Sequence, residues 1–227
     1  VTVMRKMFKN NDVVKVAAPT GTAAFNVGGE TLHRMIRMGV DKREYITNSM
    51  NAATRDLLVH DFRSLLALII DERSLVCSKD LGTVERMMSE TIYHGGPLNH
   101  LSFGGLPIVI LVGDDYQLPS TSSGAIECLV KINNRKMETR GRRVFQECSK
   151  FVLELTASKR IHSDRQKDKD LIAKVRTREE LSEDEVKKLM SLRKDEIIQK
   201  HGMATWQEIE KKAVYLFFRN EPRIRHN

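Results

Sequence analysis

Residues 65–72 read LLALIIDE, six consecutive apolar side chains closed by two carboxylates. A run with no polar face suits a strand that is covered on both sides, as in parallel sheets, rather than one with a solvated face. The pattern recurs three times. Val13–Ala17 is a short β-branched run that stops at Pro19 and gives way to Thr20, Gly21, Thr22, Ala23 and Ala24. Ile108–Val112 is closed by Gly113-Asp114-Asp115, and Phe151–Leu155 ends at Thr156. The intervening segments are long enough for crossover helices, which predicts an open α/β sheet of parallel strands.

Between the runs, Asn51–Phe62 and Leu81–Thr91 have helix-like composition. Val84, Met87, Met88 and Ile92 recur at helical spacing, so they read as a core stripe rather than as ligands. The pattern changes after Arg160. Residues 162–170, HSDRQKDKD, contain no apolar side chain and read as an exposed turn, linker or helix start. Ser182 with Glu185 forms a capping box ahead of Val186, Leu189, Met190 and Leu192, predicting an amphipathic helix. Thr205 with Glu208 repeats that signal, and Ala213–Phe218 (AVYLFF) reads as a further strand.

The 227 residues carry 38 Lys and Arg against 30 Asp and Glu, a formal charge of +8, with 41% hydrophobic residues. That length holds one large domain or two small ones, and the apolar content excludes disordered, fibrous and collagenous classes. The longest apolar stretches, Leu65–Ile70 and Leu106–Val112, are too short to cross a bilayer, so no membrane association is expected. The opening VTVMRKMFKNND lacks a secretory signal and starts without methionine, as expected of a chain that begins inside a longer one. Three widely spaced cysteines, Cys77, Cys128 and Cys148, favour a reducing compartment and argue against structural zinc. The positive balance points weakly to a polyanionic partner.

In α/β sheets ligands gather at the carboxyl ends of strands, so the polar residues there are the first candidates for chemistry. Asp71-Glu72 suits Mg²⁺ binding by one carboxylate and water orientation by the next, although a strand ending in two solvated acids has the same sequence. Gly113-Asp114-Asp115-Tyr116-Gln117-Leu118-Pro119 couples a sharp turn to an amide that can donate to a phosphate oxygen; a plain surface turn is the alternative. Arg160, beside Thr156, offers a guanidinium for developing phosphoryl charge, or is a surface residue. Thr20, Gly21 and Thr22 at a helix start, and His33-Arg34 after Gly28-Gly29, suit backbone phosphates of a strand read without sequence preference.

Together these segments resemble the 5′-to-3′ DNA helicases of superfamily 1B, the RecD-related group, and its Pif-type branch in particular. APTGTAAFNVGGETLHR (18–34) resembles motif Ia, LIIDERSLV (68–76) motif II, LVGDDYQLPS (111–120) motif III and LTASKR (155–160) motif IV. VYLFFRNEPRIRHN (214–227) resembles the opening of a second motor domain. The resemblance implies a RecA-like P-loop NTPase fold, with residues 1–163 as the first motor domain, 164–204 as a helical connector and 205–227 as the start of the second. It implies ATP and Mg²⁺ as cofactors, with Asp71 on the metal, Glu72 polarising water, Gln117 sensing the γ-phosphate and Arg160 as an arginine finger. Thr20, Gly21, Thr22, His33 and Arg34 would lie near single-stranded DNA. The implied partners are single-stranded, duplex and fork DNA, the intact protein a monomer, and the setting DNA repair, recombination and telomere maintenance, in the nucleus or mitochondrion if the source is eukaryotic.

The sequence departs from the resembled pattern at Asp115 and Ser120, where prolines are expected, at Arg73, where a small or apolar residue is commoner, and at Phe218-Arg219 in place of proline-threonine. No GxxxxGK[ST] loop occurs in these residues, so the phosphates have no backbone cradle here. The chain therefore reads as an internal piece of a helicase that alone binds ATP poorly and unwinds nothing. Its sheet, lacking the strand that carries that loop, is expected to expose unpaired edges. Two other readings fit the residues: a degenerate relative that only binds DNA or protein, and another P-loop phosphotransferase such as a nucleotide kinase.

Overall fold

The computed structural model describes residues 1–38, 50–92, 100–117, 136–156 and 165–213. The chain divides into two units, Val1–Glu154 and Leu155–Asn227. In the first, four strands form one sheet: β1 (Val14–Ala18), β2 (Glu30–Thr31), β3 (Ala67–Ile70) and β4 (Ile108–Leu111). Their order is β2-β1-β3-β4 and every pairing is parallel. Helices α1 (Thr2–Phe8), α2 (Gly21–Asn26), α3 (Leu32–Met35), α4 (Ala52–Phe62), α5 (Ser78–Thr91) and α6 (Lys136–Cys148) surround it. The predicted α/β sheet of parallel strands is present.

Alternation along β3 explains why its sequence is apolar throughout. Leu68 and Ile70 enter the main core with Phe62 of α4, Met87 of α5 and Val144 of α6. Ala67 and Ile69 face the opposite side, where they join Val13, Val14 and Met4 of α1. A period of two thus sends successive residues into two different cores. Each large apolar side chain fully buried here contributes about 1.5–3 kcal/mol.

β4 differs from this expectation. Val109 and Leu111 pack on the main core, but Ile108 and Ile110 remain exposed, Ile110 at 45%. Both faces of β3 are covered, whereas one face of β4 is open among the described residues. A second correction concerns Phe151–Leu155, which forms no strand in the described structure, and whose Phe151 is 92% exposed. A strand needs a neighbouring edge for its backbone donors and acceptors as well as apolar side chains, and this run pairs with none of the described strands.

The helical stripe on α5 is buried as expected, with Val84, Met87 and Met88 in the core. The helix begins earlier than Leu81, at Ser78, because the Cys77 sulfur accepts the Asp80 backbone N–H at 3.3 Å and caps it. α5 and α6 cross closely through two glycines. A Cβ on Gly82 would lie 2.1 Å from the Met137 carbonyl oxygen, and one on Gly141 would lie 1.7 Å from that of Ser78. Beside the crossing, Glu85 is buried at 1% exposure and accepts from Arg140 of α6, from the Ser89 hydroxyl at 2.8 Å and from the Phe103 backbone N–H at 3.2 Å. Phe103 lies in the turn that leads into β4, so this one carboxylate ties two helices to the strand's entry.

The second unit contains α7 (Gln166–Thr177), α8 (Glu183–Met190), α9 (Lys194–His201) and α10 (Met203–Lys212). The capping box at Ser182 and Glu185 is formed. Lys174 of α7 donates to Glu185 at 2.9 and 3.0 Å, and Lys188 of α8 pairs with Asp168 of α7. Thr205 is a correction: it lies inside α10, whose N-cap is Gly202, and its hydroxyl donates back to the His201 carbonyl at 2.8 Å. A helical hydroxyl has this backbone partner available, so a Thr-x-x-Glu spacing does not by itself mark a helix start. The strand expected at Ala213–Phe218 lies outside the described residues from Val214 onward.

Candidate nucleotide and nucleic-acid site

The register places the strand tips along one line. Ala17 pairs with Glu30 and with Ile70, and Ile70 pairs with Leu111, so all four carboxyl ends finish at the same sheet edge. Neighbouring parallel strands are about 4.8 Å apart, which makes this a continuous shelf. From one side to the other it carries the α3 start, the α2 start, the Asp71-Glu72 pair and the Gly113–Gln117 turn.

Pro19 ends β1, and Thr20 then takes extended backbone with its hydroxyl accepting the Ala23 N–H at 3.3 Å. Thr31 does the same for α3, accepting the Arg34 N–H at 3.2 Å. Thr20, Gly21, Thr22 and Arg34 are exposed, and His33 is half-buried. The two short helices thus present hydroxyls and a guanidinium on adjoining strand tips, the arrangement that suits a sugar-phosphate backbone.

Asp71 follows β3 directly, its backbone N–H donating to the Ala17 carbonyl at 2.9 Å. Glu72 has φ 51° and ψ 47°, the left-handed region that a non-glycine residue occupies at a cost. The turn swings the next N–H, that of Arg73, onto the Val112 carbonyl of the neighbouring tip at 2.9 Å. Both carboxylates are half-buried at the shelf's centre.

Beyond β4, the Asp114 carboxylate accepts the Tyr116 N–H at 3.0 Å, and the Gln117 N–H donates to the Asp114 carbonyl at 3.2 Å. These bonds fold the turn without the expected proline and leave Gln117 exposed. Arg73 also pairs with Asp115 and stacks over the Phe145 ring at 5.5 Å. The two departures from the resembled pattern nearest the acidic pair are therefore bonded to each other. The structure brings Asp71, Glu72, Gln117, Thr20, Gly21, Thr22, His33 and Arg34 to one edge. Arg160 lies outside the described residues, as do Ser120, Cys128 and Phe218-Arg219.

Sequence reading missed Phe25, which is 85% exposed on α2, one helical turn after Thr22. The signal was available: an aromatic residue amid small ones, in a six-residue helix with one buried position. No helix among the described residues is long and apolar enough to cross a membrane.

A family model for the PIF1-like helicase matches residues 1–183. The ATP-dependent DNA helicase Pif1 of Psychrobacter sp. is 29% identical over 110 residues, covering 48% of this chain and 16% of the relative. The ATP-dependent DNA helicase PIF4 of Trypanosoma brucei brucei is 36% identical over 124 residues, covering 52% and 14%. Among solved structures, the Pif1 helicase from Candida albicans superposes with a TM-score of 0.58 at 22% identity, over 82% of this chain and 38% of that one. Bacteroides Pif1 bound to ssDNA superposes with a TM-score of 0.53 at 22% identity, over 84% and 43%. These matches span about a sixth of the curated relatives and under half of the solved chains, and the solved chains bear on the fold. With a family model covering most of its length and the motif residues aligned on one sheet edge, the chain belongs to the PIF1-like helicase family.

Proposed function

We propose that this chain supplies the first motor domain of an ATP-dependent DNA helicase that moves 5′-to-3′ along single-stranded DNA and opens duplex or forked DNA. The observation that carries this is the order of the shelf. The acidic pair on β3 stands between the Gln117 turn on β4 and the hydroxyl-rich helix starts after β1 and β2. Nucleotide chemistry and strand contact then share one sheet, so a change at one is felt at the other.

The donor chemistry fits Mg²⁺, which takes one or two carboxylates and completes its shell with water and phosphate oxygens. Asp71 would hold the ion, with Glu72 beside it, and the described residues contain no cluster of three or more His, Cys, Asp or Glu that would make a closed protein cage. When bound, the ion would neutralise charge on the phosphate oxygens. Glu72 would orient the attacking water and take its proton, and the Gln117 amide would donate to the γ-phosphate. Arg160 would supply the clamping guanidinium. Thr20, Gly21, Thr22, His33 and Arg34 would hold the DNA backbone, and Phe25 would stack against a base.

In this reading residues 1–163 form the first motor domain, 164–204 a connector and 205–227 the opening of a second. The intact protein acts as a monomer, and in a eukaryotic cell its place is the nucleus or mitochondrion. The deciding experiment is DNA-stimulated ATP hydrolysis by the full-length protein and its Glu72→Gln variant. Loss of the general base is expected to lower the rate at least about a hundredfold while DNA affinity stays within a few-fold. A wild type that binds DNA but hydrolyses nothing would mean a binding-only relative, and turnover on a nucleoside acceptor would mean a kinase.

A further inference from the structure

We propose that Arg73 is a positioning residue that pins the Gly113–Gln117 turn to the tip of β3, so that Gln117 and Glu72 meet the nucleotide as one unit. The inference rests on the ATP-hydrolysing function proposed for the protein, and it extends that function to a residue outside the motif roles already assigned.

Contacts from the neighbouring strand tip, the turn and α6 converge on this residue. The Arg73 N–H donates to the Val112 carbonyl at 2.9 Å, which fixes the backbone of one tip to the other. Its guanidinium pairs with Asp115, two residues before Gln117. The same guanidinium lies 5.5 Å from the centre of the Phe145 ring, so α6 backs it from behind. The stem of the side chain passes against Gly113, where a Cβ would come within 2.5 Å of the Arg73 Cγ. The turn thus begins where only glycine leaves room for the arginine.

Burial separates the two ends of the pair. The Arg73 side chain is 17% exposed and Asp115 is 63% exposed. The enclosed partner is the arginine, held by the Val112 carbonyl and by α6, and the exposed partner is the turn that it pins. The planar guanidinium can stack on the ring and still present N–H donors to the carboxylate, which a lysine ammonium does not do as well. The left-handed Glu72 is the hinge of the arrangement, because its backbone swing both sets the general-base candidate and aims the next residue across the sheet. A displacement of about 1 Å between two groups that must face one phosphate is enough to cost about a hundredfold in rate.

The test is a double-mutant cycle in the full-length protein with Arg73→Met and Asp115→Asn, the second removing the pair from its exposed side so that folding is not at stake. Each variant is expected to lower kcat for DNA-stimulated ATP hydrolysis between about tenfold and a hundredfold, with KM for ATP within about threefold. The double variant is expected to be no slower than the slower single one, because both remove the same contact. Hydrogen exchange at residues 113–117 should quicken in all three. Losses that multiply, a defect that falls mainly on KM, or unchanged exchange would each overturn the proposal. If the wild type hydrolyses no ATP, the functional reading fails and takes the catalytic consequence with it, while the exchange measurement still decides whether the pin exists.

Discussion

Phe25 shows what single residues add to a motif. The hydroxyl and glycine positions at 20–22 were legible because a strand, a proline and small residues in succession describe one local geometry. The phenylalanine was not, because a buried and an exposed aromatic have the same letter; its 85% exposure distinguishes them. An exposed ring costs water contact without packing in return, unless a base stacks on it. Replacing it, Phe25→Ala, is expected to weaken binding of single-stranded DNA to the full-length protein by about 1–3 kcal/mol. The salt dependence of that binding should keep its slope, since no phosphate contact is lost. Fluorescence anisotropy over a salt series checks both. An unchanged affinity would remove Phe25 from the proposed DNA surface and leave the proposed backbone contacts untouched. Arg73 and Asp115 were legible only as anomalies, and a pair 42 positions apart in sequence becomes one feature once β3 and β4 are neighbours.

At the scale of elements, the apolar runs located strands where a neighbouring strand pairs with them, and failed at Phe151–Leu155, where none of the described strands does. β3 was legible because its residues serve two cores in alternation. Phe151–Leu155 has the same apolar content without a paired backbone, and Thr205 has a capping spacing within a continuing helix. The crossing of α5 and α6 was not visible at all, because it depends on two glycines 59 positions apart and a carboxylate that reads as surface charge. Arg140→Met removes the charged partner of Glu85 and leaves a buried carboxylate with the Ser89 hydroxyl and one backbone N–H. The expected loss is about 3 kcal/mol, the lower end for breaking a buried pair, because Arg140 itself is 27% exposed. Chemical unfolding should show the midpoint falling with an unchanged slope. In the second unit, the Glu185 carboxyl is held at about 2, first by the Lys174 ammonium and then by the Ser182 backbone N–H. Its folded value lies below the ordinary 4.5, so the contribution is complete above that pH and is lost as pH falls toward about 2. The helical signal of Glu185→Gln should therefore trail the wild type near neutral pH, and the gap should close through that acid window in circular dichroism. A gap independent of pH would mean that the carboxylate's charge plays no part in joining α7 to α8.

For the whole molecule, the question is whether 227 residues with this surface stay apart. Ile108 and Ile110 on β4 are exposed, and Phe151, Leu153 and Leu155 are each more than nine-tenths exposed. Among the described residues no strand pairs with the outer edge of β4. An unpaired edge offers backbone donors and acceptors to any other chain, and exposed isoleucines beside it supply the apolar contact that makes such pairing persist. The formal charge of +8 opposes association through long-range repulsion, yet it weakens as salt shortens the screening length to about 8 Å at physiological ionic strength. Repulsion and edge pairing therefore respond oppositely to salt, and that sets the experiment. The isolated chain is expected to sediment as associated species at micromolar concentration, more so as salt is raised, and to melt without a single cooperative transition. Ile110→Lys places a charge on the open face of β4, where natural edges carry lysine, and is expected to shift the chain toward monomer while leaving Val109 and Leu111 in the core. A monomeric wild type with one sharp melting transition would show that the exposed edge is tolerated, and the stability of the sheet would then have to come from the two cores around β3 alone.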